Sequence, residues 1–470
     1  MSNQKQEGTM KRQLSLFSVM AIAVGAMVGS GVFAMTGIGV QRAGAAAILA
    51  FFLSACISII SSLPQIIAVS ACPCAGGYCN YISRFLSPTV GYFYQWQRLV
   101  GTLSIAPVAI SFGQYVQIVF PNVPTMIPSV LLLVVFCGIN LLNVRTIAKF
   151  NNYFVCIMIV ALLSFVAFGA PHVDPARLNN FMENGAQGVV LAVVLYMSTY
   201  GCAPFVANLG SEMKNPRKNV PLAIIGGTFI TAAIYMLVCF TYVTTYDWHA
   251  DPGAAVGDVA RTFMPAPAFW FLMIGGALLA IMTTMNASIM ATARSMWSGA
   301  RDGVFPKWLA RLNKNGVPGR MVVFVTLLIA FPVVTGMSLE YVTYLSRAPS
   351  FLFSMLIPIS TLFIPKRFPH LYKRCFLPLK RPAHIALIVV VCGILIYLSG
   401  NSFLQLTPKA IICLVIYYGL VALNLIRVRA QFKKEGKEFG GLKADYDPYW
   451  VEEEARLAAE EAAANKAAQK

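Results

Sequence analysis

Two short runs in this chain set poor helix formers inside otherwise apolar stretches. The first is Val24-Gly25-Ala26-Met27-Val28-Gly29-Ser30-Gly31-Val32-Phe33, where Gly29 and Gly31 flank the small hydroxyl of Ser30. The second reads Tyr196-Met197-Ser198-Thr199-Tyr200-Gly201-Cys202-Ala203-Pro204-Phe205. Proline removes an amide donor and disfavours helical geometry at the residue before it, here Ala203. A helix broken in this way frees amides at the start of one half and carbonyls at the end of the other. The amides, at the positive end of a helix dipole, suit a carboxylate, and the carbonyls accept from an ammonium group. An α-amino acid carries both groups. Taken alone, the glycine triplet reads equally well as a small-residue seam for close helix packing.

Such breaks matter only if long helices hold them at depth. With 58% hydrophobic and 11% charged residues in 470, the chain carries more apolar surface than a soluble core can hide. A spanning helix needs about 20 apolar residues, and such runs recur from Leu14 to Arg427. Twelve spans are expected: 14–40, 44–70, 88–119, 126–143, 148–170, 187–213, 220–246, 266–298, 320–336, 340–364, 382–400 and 406–427. The fold class is an all-α polytopic membrane protein. The interrupted spans are the first and the sixth, which pairs spans 1–5 with spans 6–10 as a five-plus-five inverted repeat whose ligand site lies where the broken helices cross. The chain then divides into an N-terminal tail over 1–13, a first repeat over 14–170, a second over 187–365, two added helices over 382–427 and a C-terminal tail over 428–470. The first apolar run is too long for a signal peptide and many spans follow it, so it reads as an uncleaved helix. Within the tail, residues 452–470 are rich in Ala, Glu and Lys and read as a solvated helix or frayed end.

The net charge of +18 is informative through its distribution. With the N-terminus inside, about 29 of the 36 Lys and Arg fall in cytoplasmic segments and about 4 (Arg42, Arg177, Arg261 and Lys409) in outer loops, as the positive-inside rule expects. Both termini are then cytoplasmic and the membrane is the cytoplasmic (inner) one. Basic pairs such as Lys366-Arg367, Lys373-Arg374 and Lys380-Arg381 find their partner in anionic membrane lipid, so no nucleic acid is called for. The eleven cysteines lie mostly in apolar spans as small hydrophobes. Cys72, Cys74 and Cys79 share a loop but lack a fourth ligand, and neither metal nor cofactor is expected. His172, His249, His370 and His384 fall in loops or at span ends, with no histidine buried and no paired carboxylates inside the spans. An enzyme is not expected on those terms.

Four motifs, in order, resemble those of the amino acid–polyamine–organocation (APC) superfamily of permeases, which has the leucine-transporter fold. They are Gly29-Ser30-Gly31-Val32-Phe33, Pro73-Cys74-Ala75-Gly76-Gly77-Tyr78 through Tyr81, Glu212-Met213-Lys214-Asn215-Pro216-Arg217-Lys218-Asn219-Val220-Pro221, and Ser295 through Arg301-Asp302-Gly303-Val304-Phe305-Pro306. The resemblance covers roughly residues 12 to 427. It implies an amino acid permease, a secondary active transporter or antiporter, in which Val28, Gly29, Ser30, Gly31 and Val32 hold the substrate carboxylate and Tyr200, Gly201, Cys202 and Ala203 hold its amino group. Two departures are visible. Where many members carry glycine-phenylalanine-glutamate in helix six, this chain has Gly201-Cys202-Ala203, so an acidic partner for a cationic side chain is missing. Where some proton-coupled members place a lysine in helix five, the matching residue is Met158.

The remaining polar residues keep two readings each. Arg98 either lines the cytoplasmic vestibule near Tyr200 or snorkels to the inner interface. Glu212 either gates by engaging basic loops or sits solvated. Asn286 and Ser288 either contact substrate or a sodium ion, or bond a neighbouring helix. Arg347 is expected to reach the outer surface near Glu340. Arginine stays charged and cannot switch, so exchange against a counter-substrate or sodium-linked transport is expected over coupling to protons. The expected substrate order is neutral, then acidic, then cationic or amine. A six-plus-six facilitator is the alternative architecture, and it would place its symmetry break after helix six.

Overall fold

The computed structural model describes residues 16–72, 78–141, 147–197, 199–201, 215–301, 303–313, 317–434 and 448–468. The helices, in chain order, are α1 (Leu16–Met27), α2 (Ser30–Ala43), α3 (Ala47–Ala71), α4 (Tyr78–Phe85), α5 (Pro88–Thr102), α6 (Ala106–Val119) and α7 (Met126–Leu141). Next come α8 (Ile147–Gly169), α9 (Gly185–Tyr196), α10 (Pro216–Thr245), α11 (Val256–Phe263), α12 (Ala266–Phe271), α13 (Leu279–Arg301) and α14 (Gly319–Val334). The last are α15 (Leu339–Ser354), α16 (Leu356–Thr361), α17 (Ile364–Arg367), α18 (Pro369–Lys373), α19 (Arg381–Leu404), α20 (Pro408–Lys434) and α21 (Pro448–Ala468). No strand occurs among the described residues.

Among those residues, eight helical stretches are long and apolar enough to cross a membrane. Three shorter apolar helices, α7, α9 and α14, fall where spans are expected at 126–143, 187–213 and 320–336. One stretch, Gly31–Ala71, runs for 41 residues and holds parts of two expected spans, joined by a tight turn over Gly44–Ala46. Gly44 makes that turn at φ 63°, a left-handed geometry that costs a residue with a Cβ more than glycine.

Outward-facing side chains are apolar to a degree water would not tolerate. Leu131 is 60% exposed, Leu327 65%, Val415 67% and Leu404 78%, a pattern suited to hydrocarbon. The two halves of the interrupted first helix pack on different partners: α1 lies along α10 and α8, and α2 along α9 and α6. α10 also runs along α3, and α15 along α19. The interruption therefore sits inside the bundle.

One expectation is overturned here and a second holds only in part. His384 is 2% exposed, not an unburied end residue: its Nε2 lies 2.9 Å from Thr361 Oγ1 and its Nδ1 3.3 Å from the Tyr372 hydroxyl. Thr361 in turn donates to Pro358 O, so the cluster is a packed hydrogen-bond network with no uncommitted nucleophile. The first turns of α19 simply tuck under α16 and α18. The second concerns the tail: most described side chains of 452–463 are exposed, as expected, but Leu457 is 2% exposed and Trp450, just before that stretch, is fully buried, so α21 docks along one face. Its acidic composition conceals the two apolar residues that face the protein.

Candidate functional site

The first break falls where the glycines predict it. Val28 N still donates to Val24 O at 2.7 Å, then Gly29 leaves helical geometry (φ −164°, ψ −138°) and α2 opens at Ser30. The last carbonyls of α1 and the first amides of α2 thereby lose their intrahelical partners. Side chains from other helices take two of those carbonyls. The Tyr235 hydroxyl, on α10, donates to Met27 O at 2.7 Å, and Thr284 Oγ1, on α13, donates to Val28 O at 3.4 Å. Sequence reasoning missed both residues, because a buried Tyr or Thr in an apolar helix signals only that it bonds something, not which carbonyl it finds.

The second break begins earlier than expected. α9 ends at Tyr196, before the Gly201-to-Pro204 run. Met197 N reaches Val193 O at 2.8 Å, but both Thr199 N and Thr199 Oγ1 turn back to Tyr196 O, at 2.9 and 2.7 Å. Tyr196 O is the acceptor the next helical turn would use, so a threonine hydroxyl competing for it helps to stop the helix. Cys202, Ala203 and Glu212 lie outside the described residues, as does the Pro73–Gly77 loop. Of Ser30, only the backbone is described.

The two breaks touch. A Cβ built on Gly31 would lie 2.6 Å from Thr199 Cβ, and one on Gly29 would lie 3.1 Å from Thr284 Cβ. Glycine at 31 is therefore required for the second interruption to seat against the first, and close packing and freed backbone become one feature. Val28 and Val32 are fully buried beside it. Tyr200 is 1% exposed; its hydroxyl donates to Phe51 O at 3.3 Å, and its own carbonyl accepts from Ser58 Oγ at 3.3 Å. Its ring centroid lies 5.8 Å from that of Tyr235, and Tyr196 stacks on Phe51 at 3.6 Å. An aromatic wall thus backs the crossing, while Gly201 is exposed.

The other predicted polar residues divide. Asn286 Oδ1 accepts from Asn140 Nδ2 at 2.8 Å, which is the interhelical reading, and Thr284 is the α13 residue that reaches the break. Arg98 is half-buried on α5. Glu340 does not pair with Arg347: Arg42 takes it, with Nη2 at 2.7 Å and Nε at 2.8 Å. The last turn of α2 brings Arg42 beside the start of α15, whereas Arg347 lies seven residues, about 10 Å, further along that helix.

Further polar contacts tie together the same end of the molecule. Asn184 Nδ2 donates to Gln41 O at 3.2 Å, and the Tyr115 hydroxyl donates to Phe33 O at 2.7 Å while accepting from Gly257 N at 3.2 Å on α11. Asp258 caps α11 by accepting from Ala255 N at 3.2 Å, and its burial lifts the carboxyl above its ordinary range. Among the described residues no three His, Cys, Asp or Glu side chains gather as a metal site.

Residues 18–411 match the model of the amino acid permease family. A methylthioribose transporter of Bacillus subtilis is 24% identical over 338 residues, covering 67% of this chain and 73% of the relative. An uncharacterized amino acid permease of the same organism is 26% identical over 383 residues, 77% of this chain and 79% of the relative. An aromatic amino acid transport protein of Escherichia coli is 24% identical over 385 residues, 77% and 81% respectively. The match spans most of a chain whose helices are built to cross a membrane repeatedly, and the protein belongs to the amino acid permease family of the APC superfamily, a family of multi-pass membrane transporters.

Proposed function

We propose that this chain carries a neutral amino acid across the cytoplasmic membrane as an exchanger or sodium-linked transporter, with both termini cytoplasmic. Its twelve spans form a five-plus-five inverted repeat over 14–170 and 187–365, and substrate sits where the two broken helices cross. The carboxylate is held at Val28, Gly29, Ser30, Gly31 and Val32, by the freed amides that open α2. The amino group is held near Tyr200, Gly201, Cys202 and Ala203.

One observation carries the substrate reading. Among the described residues, the side chains seen at the break, Val28, Val32, Thr199, Tyr200, Tyr235 and Thr284, are all uncharged. A half-helix pair satisfies the two charges of an amino acid backbone, but a second, unpaired charge buried there costs several kcal/mol. Cationic side chains are accordingly the poorest fit. Aromatic amino acids, named for one relative, are neutral too and fall inside this reading.

Transport then alternates about the end that these contacts tie together. Substrate enters from that side only after the Arg42–Glu340 pair parts and α2 moves relative to α15. Competition in proteoliposomes tests the reading: alanine, serine or phenylalanine should displace the best-bound ligand more strongly than arginine, putrescine or glutamate, and methylthioribose, which has no carboxylate, should not compete. Strong arginine or putrescine competition would overturn the charge argument. Counterflow measured with and without sodium, against an imposed pH gradient alone, tests the coupling, and accumulation driven by the pH gradient in sodium-free vesicles would contradict it.

A further inference from the structure

The tail helix α21 is fastened to two pieces of the bundle that are distant in sequence. Trp450 enters a box of aromatic rings. Tyr81 stacks on it at 5.9 Å and Phe85 at 6.1 Å, both from α4, while Phe368, just before α18, meets it edge-on at 6.0 Å. The Arg84 guanidinium lies 5.1 Å over the same indole. One turn on, the Glu454 carboxylate accepts from the backbone amides of His370 and Leu371, at 2.9 and 2.8 Å, and contacts His370 Nδ1 at 2.8 Å. Further out, Lys373 pairs with Glu461 at 2.7 Å and Arg374 with Glu460 at 3.3 Å. An acidic helix face meets a basic segment, with one indole as the anchor.

The two pieces joined belong to different halves of the chain. α4 is tied to the end of α3, since the Tyr81 hydroxyl donates to Cys72 O at 2.7 Å. α3 packs along α10, and α10 along α1, the first half of the broken helix. α18 follows the last helices of the second expected repeat. α3 and α4 pack directly on α16, and Phe85 meets Phe368 edge-on at 6.3 Å, so an opening of the end opposite Arg42 and Glu340 that parts α3 from α16 breaks this joint, which α21 also spans.

We propose that α21 is a latch on this joint: docked, it holds α3 and α1 against the α16–α18 segment and restrains opening of that end. The latch goes beyond the transport reading and does not depend on which substrate is carried.

Hydrogen exchange on the full-length chain in nanodiscs tests it without any substrate. Two variants, W450A/E454A and a chain ending at residue 447, are compared with the wild type. Undocking should raise exchange in Tyr78–Phe85 and Pro369–Lys373, and also about tenfold in Leu16–Met27, which takes no part in the α21 contacts described above, because local openings report coupled units. A synthetic peptide of residues 448–468 added to the shortened chain should restore protection in all three segments. Loss of protection confined to the two covered segments would overturn the latch, leaving α21 a mere cover. Loss throughout the bundle, including α10, that the peptide does not reverse would assign α21 to folding and overturn it as well.

Discussion

Replacing Gly31 with alanine tests the crossing of the two broken helices directly. The added methyl carbon would lie 2.6 Å from Thr199 Cβ and 3.5 Å from Thr199 Cα. Carbon atoms settle at about 3.5 to 4.0 Å, so the first contact overlaps by about 1 Å. Thr199 has little freedom to yield, since its amide and hydroxyl both bond Tyr196 O, at 2.9 and 2.7 Å, and its β-branched side chain has few rotamers. Overpacking of this kind costs about 1–3 kcal/mol, and an error of about 1 Å in how two binding elements face each other lowers a rate by roughly a hundredfold. The expected result for G31A is therefore protein that inserts, melts a few degrees lower and transports labelled alanine or phenylalanine in proteoliposomes between ten and a hundred times more slowly. Removing the opposing side chain with T199G takes away the two closest of these contacts and leaves the one to Cα at 3.5 Å, so G31A/T199G should recover part of the lost melting temperature. The coupling in that double-mutant cycle should be of order 1 kcal/mol or more. Wild-type rates and unchanged melting in G31A would refute the crossing geometry. A defect that T199G leaves untouched would show that Thr199 is not what Gly31 makes room for.

Three other outcomes follow from the same geometry. Y235F removes the 2.7 Å bond to Met27 O and leaves that carbonyl buried, which should cost about 1–3 kcal/mol in unfolding and slow transport; an unchanged denaturation midpoint would argue against that bond. R42K or E340Q weakens a pair whose side chains are 38% and 21% exposed, so stability should change by under about 1 kcal/mol while labelling of a cysteine placed at the fully buried Ala43 rises as that end opens. The Asp258 carboxyl is lifted by burial, so the folded chain holds that proton to higher pH than the unfolded one, and this group's contribution to stability falls as pH climbs above the ordinary aspartate range. D258N and the wild type should therefore melt alike at about pH 3.5, with the variant gaining relative stability towards neutral pH; a difference independent of pH would contradict it.

Composition and pattern determined the class of this protein. Apolar runs of spanning length and Gly29-Ser30-Gly31 were enough to place the chain in a membrane with a broken first helix, because backbone hydrogen bonding in hydrocarbon leaves few alternatives to a helix and few reasons for a gap in one. The motif resemblance led to the family that residues 18–411 match. What the sequence left open was settled by side chains meeting across long separations. Thr199, not Gly201 or Pro204, is the residue seen ending α9, because its hydroxyl takes Tyr196 O. Arg42, not Arg347, finds Glu340 across 298 positions. Tyr235 and Thr284 close on carbonyls of the first break from helices far along the chain. The acidic tail, which reads as solvent-facing, docks because one tryptophan meets three aromatic rings brought together from residues 81, 85 and 368. Local propensity and periodicity report on a residue's own turn of helix, whereas a hydrogen bond or ring contact depends on where another segment ends in space, and only the tertiary structure decides that.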